Sequence, residues 1–263
     1  MKKVFAAVVM AGMFASCASA EVIGALGLRE SSMQVKQSVM ARVADAGLTS
    51  EEPSIKFYDS LTLMTLALNK GEIGALAGPE FVGEYMLRND PAFTLRGFLL
   101  LKRPIALAFG FLEEKSDLRD RFSKAVQDME REGVIGILAR DNITGPAALN
   151  PPAVKFDSFD DAETITVALT GDMPPLDYVA EDGTPAGFNT AILAEIARRL
   201  HVNIKTVTVE TGSRAPALKS GRADAVFWFQ VFEGYDVQPD VPEGVITSTP
   251  YFGWNKALLI GRK

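Results

Sequence analysis

The stretch Thr164-Ile165-Thr166-Val167-Ala168-Leu169-Thr170-Gly171-Asp172-Met173-Pro174-Pro175-Leu176 decides the fold. Its first six residues, Thr164–Leu169, form an apolar run of strand length, and Thr170, Asp172 and Met173 stand just past its carboxyl end. Working downstream, the pattern predicts a helix over Asn189–Leu200, a strand over Asn203–Val209, a helix over Ser213–Lys219 and a strand over Ala223–Phe229. A last strand starts near Tyr251 and runs to the terminus. Strands alternating with helices predict parallel pairing through right-handed crossovers, hence the α/β class.

Upstream of this block, Gly145–Asp161 carries Pro146, Pro151 and Pro152 and a cluster of aspartates, the composition of a linker. The residues before it alternate in the same way. Strands are expected at Val22–Leu26, Ser54–Tyr58, Ile73–Ala77 and Pro104–Leu112. Helices are expected at Ser31–Ala46, at Leu61–Asn69, and through Tyr85 and Leu87. Asp117–Arg131 is the clearest amphipathic helix, with Leu118, Phe122, Ala125, Val126 and Met129 on one stripe; Gly133 ends it, and a shorter helix reaches about Arg140. The segment Ala67–Leu76 repeats the pattern of Ala217–Val226: a helix end, a glycine and a buried strand. This pattern suits two related α/β lobes.

The chain has 263 residues, 48% of them hydrophobic, which is enough for a packed core. Acidic residues outnumber basic ones, 33 to 27, and the net charge of −6 argues against a nucleic-acid partner, which needs a basic face. One histidine and one cysteine make zinc clusters, disulfide scaffolds and nucleophile–histidine relays hard to assemble. Residues 1–20 read as an export signal: Lys2 and Lys3, then the apolar Val4–Ala15, then the cleavage site Ala18-Ser19-Ala20. Cleavage there gives a periplasmic chain starting at Glu21. Phe14-Ala15-Ser16-Cys17 also resembles a bacterial lipobox, so the alternative is a lipoprotein anchored at Cys17.

From Thr164 onward the sequence resembles the amino-terminal lobe of the family 3 periplasmic solute-binding proteins. The residues that carry this are Ile165–Leu176, Asp182-Gly183, Gly187-Phe188-Asn189, Ile196-Ala197, Leu200, Pro216–Asp224 and Ser248-Thr249-Pro250-Tyr251. The first half resembles the same family's other lobe, which normally comes later in the chain, through Val22-Ile23-Gly24, Ala67–Ala75 and Leu118–Ile137. The implied fold is a type II-like periplasmic binding fold. Each of its two lobes is a mostly parallel sheet flanked by helices, and a two-strand hinge joins them. The swapped order implies a circular permutation. Residues 21–103 form the family's second lobe, 104–112 a hinge strand, and 113–144 a terminal helical pair packed on the other lobe. Residues 145–163 join the usual termini, and 164–263 form the first lobe, ending in a hinge strand.

The resemblance implies a small-molecule ligand held between the lobes. On the first lobe the matching positions are Thr170, Asp172 and Met173, then Thr211 and Arg214, then Trp228, Phe229 and Gln230. On the second lobe they are Arg29, Glu30 and Ser31 at a helix start, and Gly78, Pro79 and Glu80. Amino-acid binders of the family carry an arginine after the first lobe's third strand, where this chain has Gln230–Asp236 without one. They also carry an aspartate where this chain has Gly78 and Pro79. Arg29 or Arg214 is then the candidate for a ligand carboxylate, and Glu80 for an ammonium. Trp228 and Phe229 equally suit a strand core, and the two arginines equally suit solvated helix starts. The implied role is delivery of an amino acid or related polar solute to an inner-membrane ABC permease, by a monomer without cofactor, metal or catalysis. The alternatives are a dehydratase acting on a cyclic carboxylic acid, with Glu80 or Asp172 as its acid, and a ligand-free sensor or structural relative.

Overall fold

The computed structural model describes residues 22–26, 54–149, 154–234, 238 and 240–263. In chain order the main elements begin with β1 (Val22–Leu26), β2 (Ser54–Tyr58), α1 (Leu61–Asn69), β3 (Ala75–Pro79), α2 (Glu80–Asn89), β4 (Phe93–Leu112), α3 (Ser116–Arg131) and α4 (Val134–Ala139). They continue with β5 (Thr164–Leu169), β6 (Asp172–Met173), β7 (Asp177–Val179), β8 (Pro185–Ala186), α5 (Phe188–Leu200) and β9 (Asn203–Thr208). The chain closes with α6 (Arg214–Lys219), β10 (Ala225–Phe232), β11 (Val245–Thr247) and β12 (Phe252–Arg262).

Local chemistry explains the helix boundaries. Ser60 caps α1, its hydroxyl accepting from the Leu63 amide at 3.1 Å. Gly133 takes up a φ of 75° to separate α3 from α4, and His201 ends α5 in the same left-handed region, its ring centred 4.1 Å from that of Phe159 at a 39° tilt.

Among the described residues one mixed sheet runs β2-β1-β3-β12-β4-β10-β5-β9, with β11 also on β4. β1 pairs in parallel with β2 and β3, and β5 pairs in parallel with β9 and β10. Between these parallel sets lie β4 and β12, antiparallel to each other from Phe252↔Leu107 to Arg262↔Phe93. β3 meets β12 only over Ala257–Ile260, whereas β10 and β11 meet β4 only over Ile105–Leu112. β12 therefore borders one parallel set and β4 the other, and their mutual pairing joins the two. Pro104, which has no N–H to give, falls where the register slips between Ile105↔Trp254 and Leu100↔Lys256.

Helices α3 and α4 follow β4 in sequence but pack on the β5–β9 side. Phe122 of α3 meets Phe109 and Phe111 edge-on at 5.2 Å. Ser123 accepts from the Thr249 amide at 3.0 Å, and Glu132 takes a two-pronged pair from Arg199 of α5.

Several expected boundaries shift. The strand expected at Pro104–Leu112 starts eleven residues earlier, at Phe93, because a partner as long as β12 carries it across the proline. The strand expected at Ile73–Ala77 is Ala75–Pro79, so Gly78 and Pro79 lie within a strand and pair with Leu258 and Ala257. The strand expected at Ala223–Phe229 is Ala225–Phe232, so Gln230 lies within it together with Trp228 and Phe229. The helix expected at Ser31–Ala46 lies outside the described residues. Among those residues, no helix is long and apolar enough to cross a membrane.

Candidate functional site

The turn that follows β5 is built around a buried carboxylate. Asp177 is fully enclosed and accepts from the Thr170 amide and hydroxyl, both at 3.0 Å, and from the Gly171 amide at 2.9 Å. Gly171 needs its freedom here, with φ at 74°. Burial pushes the Asp177 carboxyl up to about 6, against these three donors and with help from the charge of Asp172. Nearby, the buried Tyr251 hydroxyl lies 3.1 Å from Asn189 Oδ1 and 3.2 Å from the Phe227 carbonyl, and burial raises its pKa.

The far end of this loop is tied to the start of α5. The amides of Phe188 and Asn189 donate to the carbonyls of Pro175 (3.0 Å) and Leu176 (2.8 Å). Gly187 makes the approach possible. Its φ is 97°, and a Cβ there would stand 2.6 Å from the Leu176 oxygen and 2.7 Å from the Pro175 oxygen. Gly187→Ala therefore combines a disfavoured backbone with a backbone clash. It should lower unfolding free energy by about 3 kcal/mol, read by urea denaturation. Gly183→Ala, in open space at a similar φ, serves as the control and should cost less.

The turn brings Asp172 to the other parallel set. Its Oδ2 lies 3.5 Å from the Thr62 amide in the first turn of α1, an end with free N–H groups. Burial raises the Asp172 pKa, opposed by the amides of Thr62 and Leu61. The turn after β9 makes a second approach: a Cβ on Gly212 would lie 3.7 Å from Asp59 Oδ1. Asp59–Thr62 and the two turns at 170–172 and 211–213 thus converge, at the carboxyl ends of β2, β5 and β9, where open α/β sheets take ligands.

The remaining expected residues divide clearly. Thr170, Thr211 and Met173 are buried beside the junction, Thr170 being engaged by Asp177. Arg214 is corrected from a free guanidinium to an internal tie. It is 3% exposed and donates from Nε to the Thr211 carbonyl (2.8 Å), from Nη1 to the Trp228 carbonyl, and from Nη1 and Nη2 to Asp240 (3.1 and 2.8 Å). Trp228 and Phe229 are core residues whose rings lie 4.3 and 4.7 Å from the same guanidinium carbon. The Gln230 amide donates to Asp240 at 2.8 Å. Glu80 opens α2 and pairs with Lys256 on its own side. Arg29, Glu30 and Ser31 lie outside the described residues. Sequence reasoning missed Asp59, Thr62, Asp177 and Asp240. The local signal that could have pointed to them is Ser60, a residue type that caps helices, but it marks a helix start without saying what faces it. Among the described residues no cluster of three or more His, Cys, Asp or Glu side chains is placed to hold a metal.

Taken together these features define an α/β protein with a strand-end junction bounded by two parallel sets. Residues 165–260 match the bacterial extracellular solute-binding proteins, family 3, from β5 through β12. No curated protein sequence matches the chain. Among solved structures, the ligand-binding component of an ABC-type import system from Staphylococcus aureus, with zinc bound, is 9% identical with a TM-score of 0.46. That comparison covers 92% of this chain and 66% of that one. A pheromone cOB1 precursor/lipoprotein of the YaeC family from Enterococcus faecalis is 14% identical (TM-score 0.44, covering 93% and 86%). The methionine-binding protein MetQ is also 14% identical (TM-score 0.43, covering 92% and 83%). At these identities the similarity does not extend to ligand.

Proposed function

We propose that this chain is an extracytoplasmic solute-binding protein that captures a small polar solute, an amino acid or related compound, and passes it to an ABC importer. The observation that carries this reading is the convergence of the 170–172 and 211–213 turns, both within the segment matching the solute-binding family, on the first turn of α1 outside it. Strand-end turns on one side and helix amides on the other supply the few placed polar groups that such sites use. β4 and β12, whose mutual pairing joins the two sets, are the natural hinge. We read the two sets as the family's lobes in permuted order, with 145–163 joining the usual termini. In this reading the protein does no chemistry, and its first twenty residues direct export, with a lipid anchor at Cys17 as the variant form.

A thermal-shift series with amino acids, polyamines, dicarboxylates and sugar acids tests the proposal. A ligand at a hundred times its Kd adds about 2.7 kcal/mol, a rise of roughly 5–10 °C in Tm for a chain of this size. The rise should grow with ligand concentration and shrink in Asp172→Ala. Flat melting curves across all four classes would sink the reading, and turnover of a cyclic carboxylic acid would replace it with the enzymatic one.

A further inference from the structure

We propose that Asp172 is a latch that holds the two parallel sets closed on each other through the first turn of α1, with no solute needed to bridge them. The inference rests on the hinge and cleft of the reading above, not on the identity of the solute. Each side of the contact is anchored in its own set. α1 is packed on β1: Met64 and Ile73 fill the space that a Cβ on Gly24 would take, and Leu61, Met64 and Leu68 are buried. The 170–172 turn is pinned to the other set by the three hydrogen bonds that Thr170 and Gly171 give to Asp177. Asp172 is therefore presented to α1 by a fixed turn, not by a free loop.

The latch grips a helix end. Ser60 accepts from the Leu63 amide, Asp172 Oδ2 stands 3.5 Å from the Thr62 amide, and the Leu61 amide also favours the Asp172 charge. No lysine or arginine among the described residues pairs with Asp172, so these amides are what its half-buried carboxylate gains by leaving water. A second approach flanks the first. A Cβ on Gly212 would lie 3.7 Å from Asp59 Oδ1, so the turns after β5 and β9 both reach the corner between β2 and α1. Every group in these contacts belongs to the chain itself, and closure does not wait for a ligand. A solute in the cleft then meets the Asp172 carboxylate at this end in place of free helix amides. The register slip of β4 on β12 beside Pro104 gives the hinge a place to bend when the latch opens.

The test is a cysteine pair, Asp59→Cys with Gly212→Cys, in the full chain carrying Cys17→Ser. Both positions are exposed, and the approach of Gly212 to the Asp59 side chain is within disulfide reach. With diamide and no added solute the pair should oxidise completely, read by thiol titration and non-reducing electrophoresis. Adding Asp172→Ala should slow oxidation about tenfold, the weight of one hydrogen bond to a charged group, with circular dichroism melts confirming that the variant folds. In small-angle X-ray scattering the wild type should have the radius of gyration of the oxidised pair. Failure to cross-link, equal oxidation rates with and without Asp172, or a wild type more expanded than the oxidised pair would each overturn the latch. No solute enters these measurements, so flat melting curves in the thermal-shift series would remove the import reading and leave the latch standing.

Discussion

Arg214→Met should be the most damaging single substitution considered, lowering unfolding free energy by about 3–5 kcal/mol in urea denaturation. The cause is the partner left behind. Asp240 is 1% exposed, and its carboxylate would keep only the Gln230 amide once both guanidinium prongs are gone. The carbonyls of Thr211 and Trp228 would lose their donors in the same step, and the Trp228 and Phe229 rings would lose the cation between them. Arg214→Lys should recover only part of the loss, because an ammonium cannot span Asp240 as a fork. Arg214→Met with Asp240→Leu should recover most of it, since removing both buried charges costs far less than stranding one. Equal losses in the single and double variants would show that the pair is not the source.

Asp177 should make the protein more stable as pH falls from 7 to 5, the opposite of an ordinary paired carboxylate. Its native pKa of about 6 lies above the unfolded value of 3.8, so the folded state binds the proton more tightly. The resulting stabilisation is complete below pH 4 and is lost as pH rises through 6. It amounts to roughly 1 kcal/mol between pH 7 and 5, and about 2 kcal/mol by pH 4. Asp128 and Glu132 pull the other way. Hydrogen bonds from Lys124 and Arg131 to Asp128, and from Arg199 to Glu132, hold their pKa values low, so their contribution fades only in more acid solution. The difference between wild type and Asp177→Asn in urea midpoints from pH 7 to 5 isolates the effect. A pH-independent difference would contradict it. At every pH Asp177→Asn should also be the less stable, because the amide cannot accept from Thr170 and Gly171 on both sides.

Most elements were legible because their signals are local. The apolar period of Asp117–Arg131 needs no partner to be read, and neither do the glycine after Arg131 or the runs Val22–Leu26 and Thr164–Leu169. Phe93–Leu101 was not legible as strand. Its signal is diluted by Arg96 and Gly97 and cut by Pro104, and only pairing along β12 makes it extended. Trp228 shows the same limit at a single residue. Simple alternation puts it on the face opposite Phe227 and Phe229. A bulge opposite Phe109 instead turns Phe227 and Trp228 into one cluster, and Val226 and Phe229 into the other.

The sequence by itself determined the α/β class, the strand–helix alternation on either side of Gly145–Asp161, and the strand-end turns at Thr170–Asp172 and Thr211–Arg214. Each follows from periodicity and turn chemistry within a dozen residues or so. Only the tertiary structure decided what those turns face. It set Asp172 on the first turn of α1, more than a hundred residues away, spent Arg214 on Asp240, and buried Asp177 beneath the loop it holds. Those outcomes depend on desolvation and on partners brought together by β4 and β12, and no local pattern encodes which buried charge will meet which.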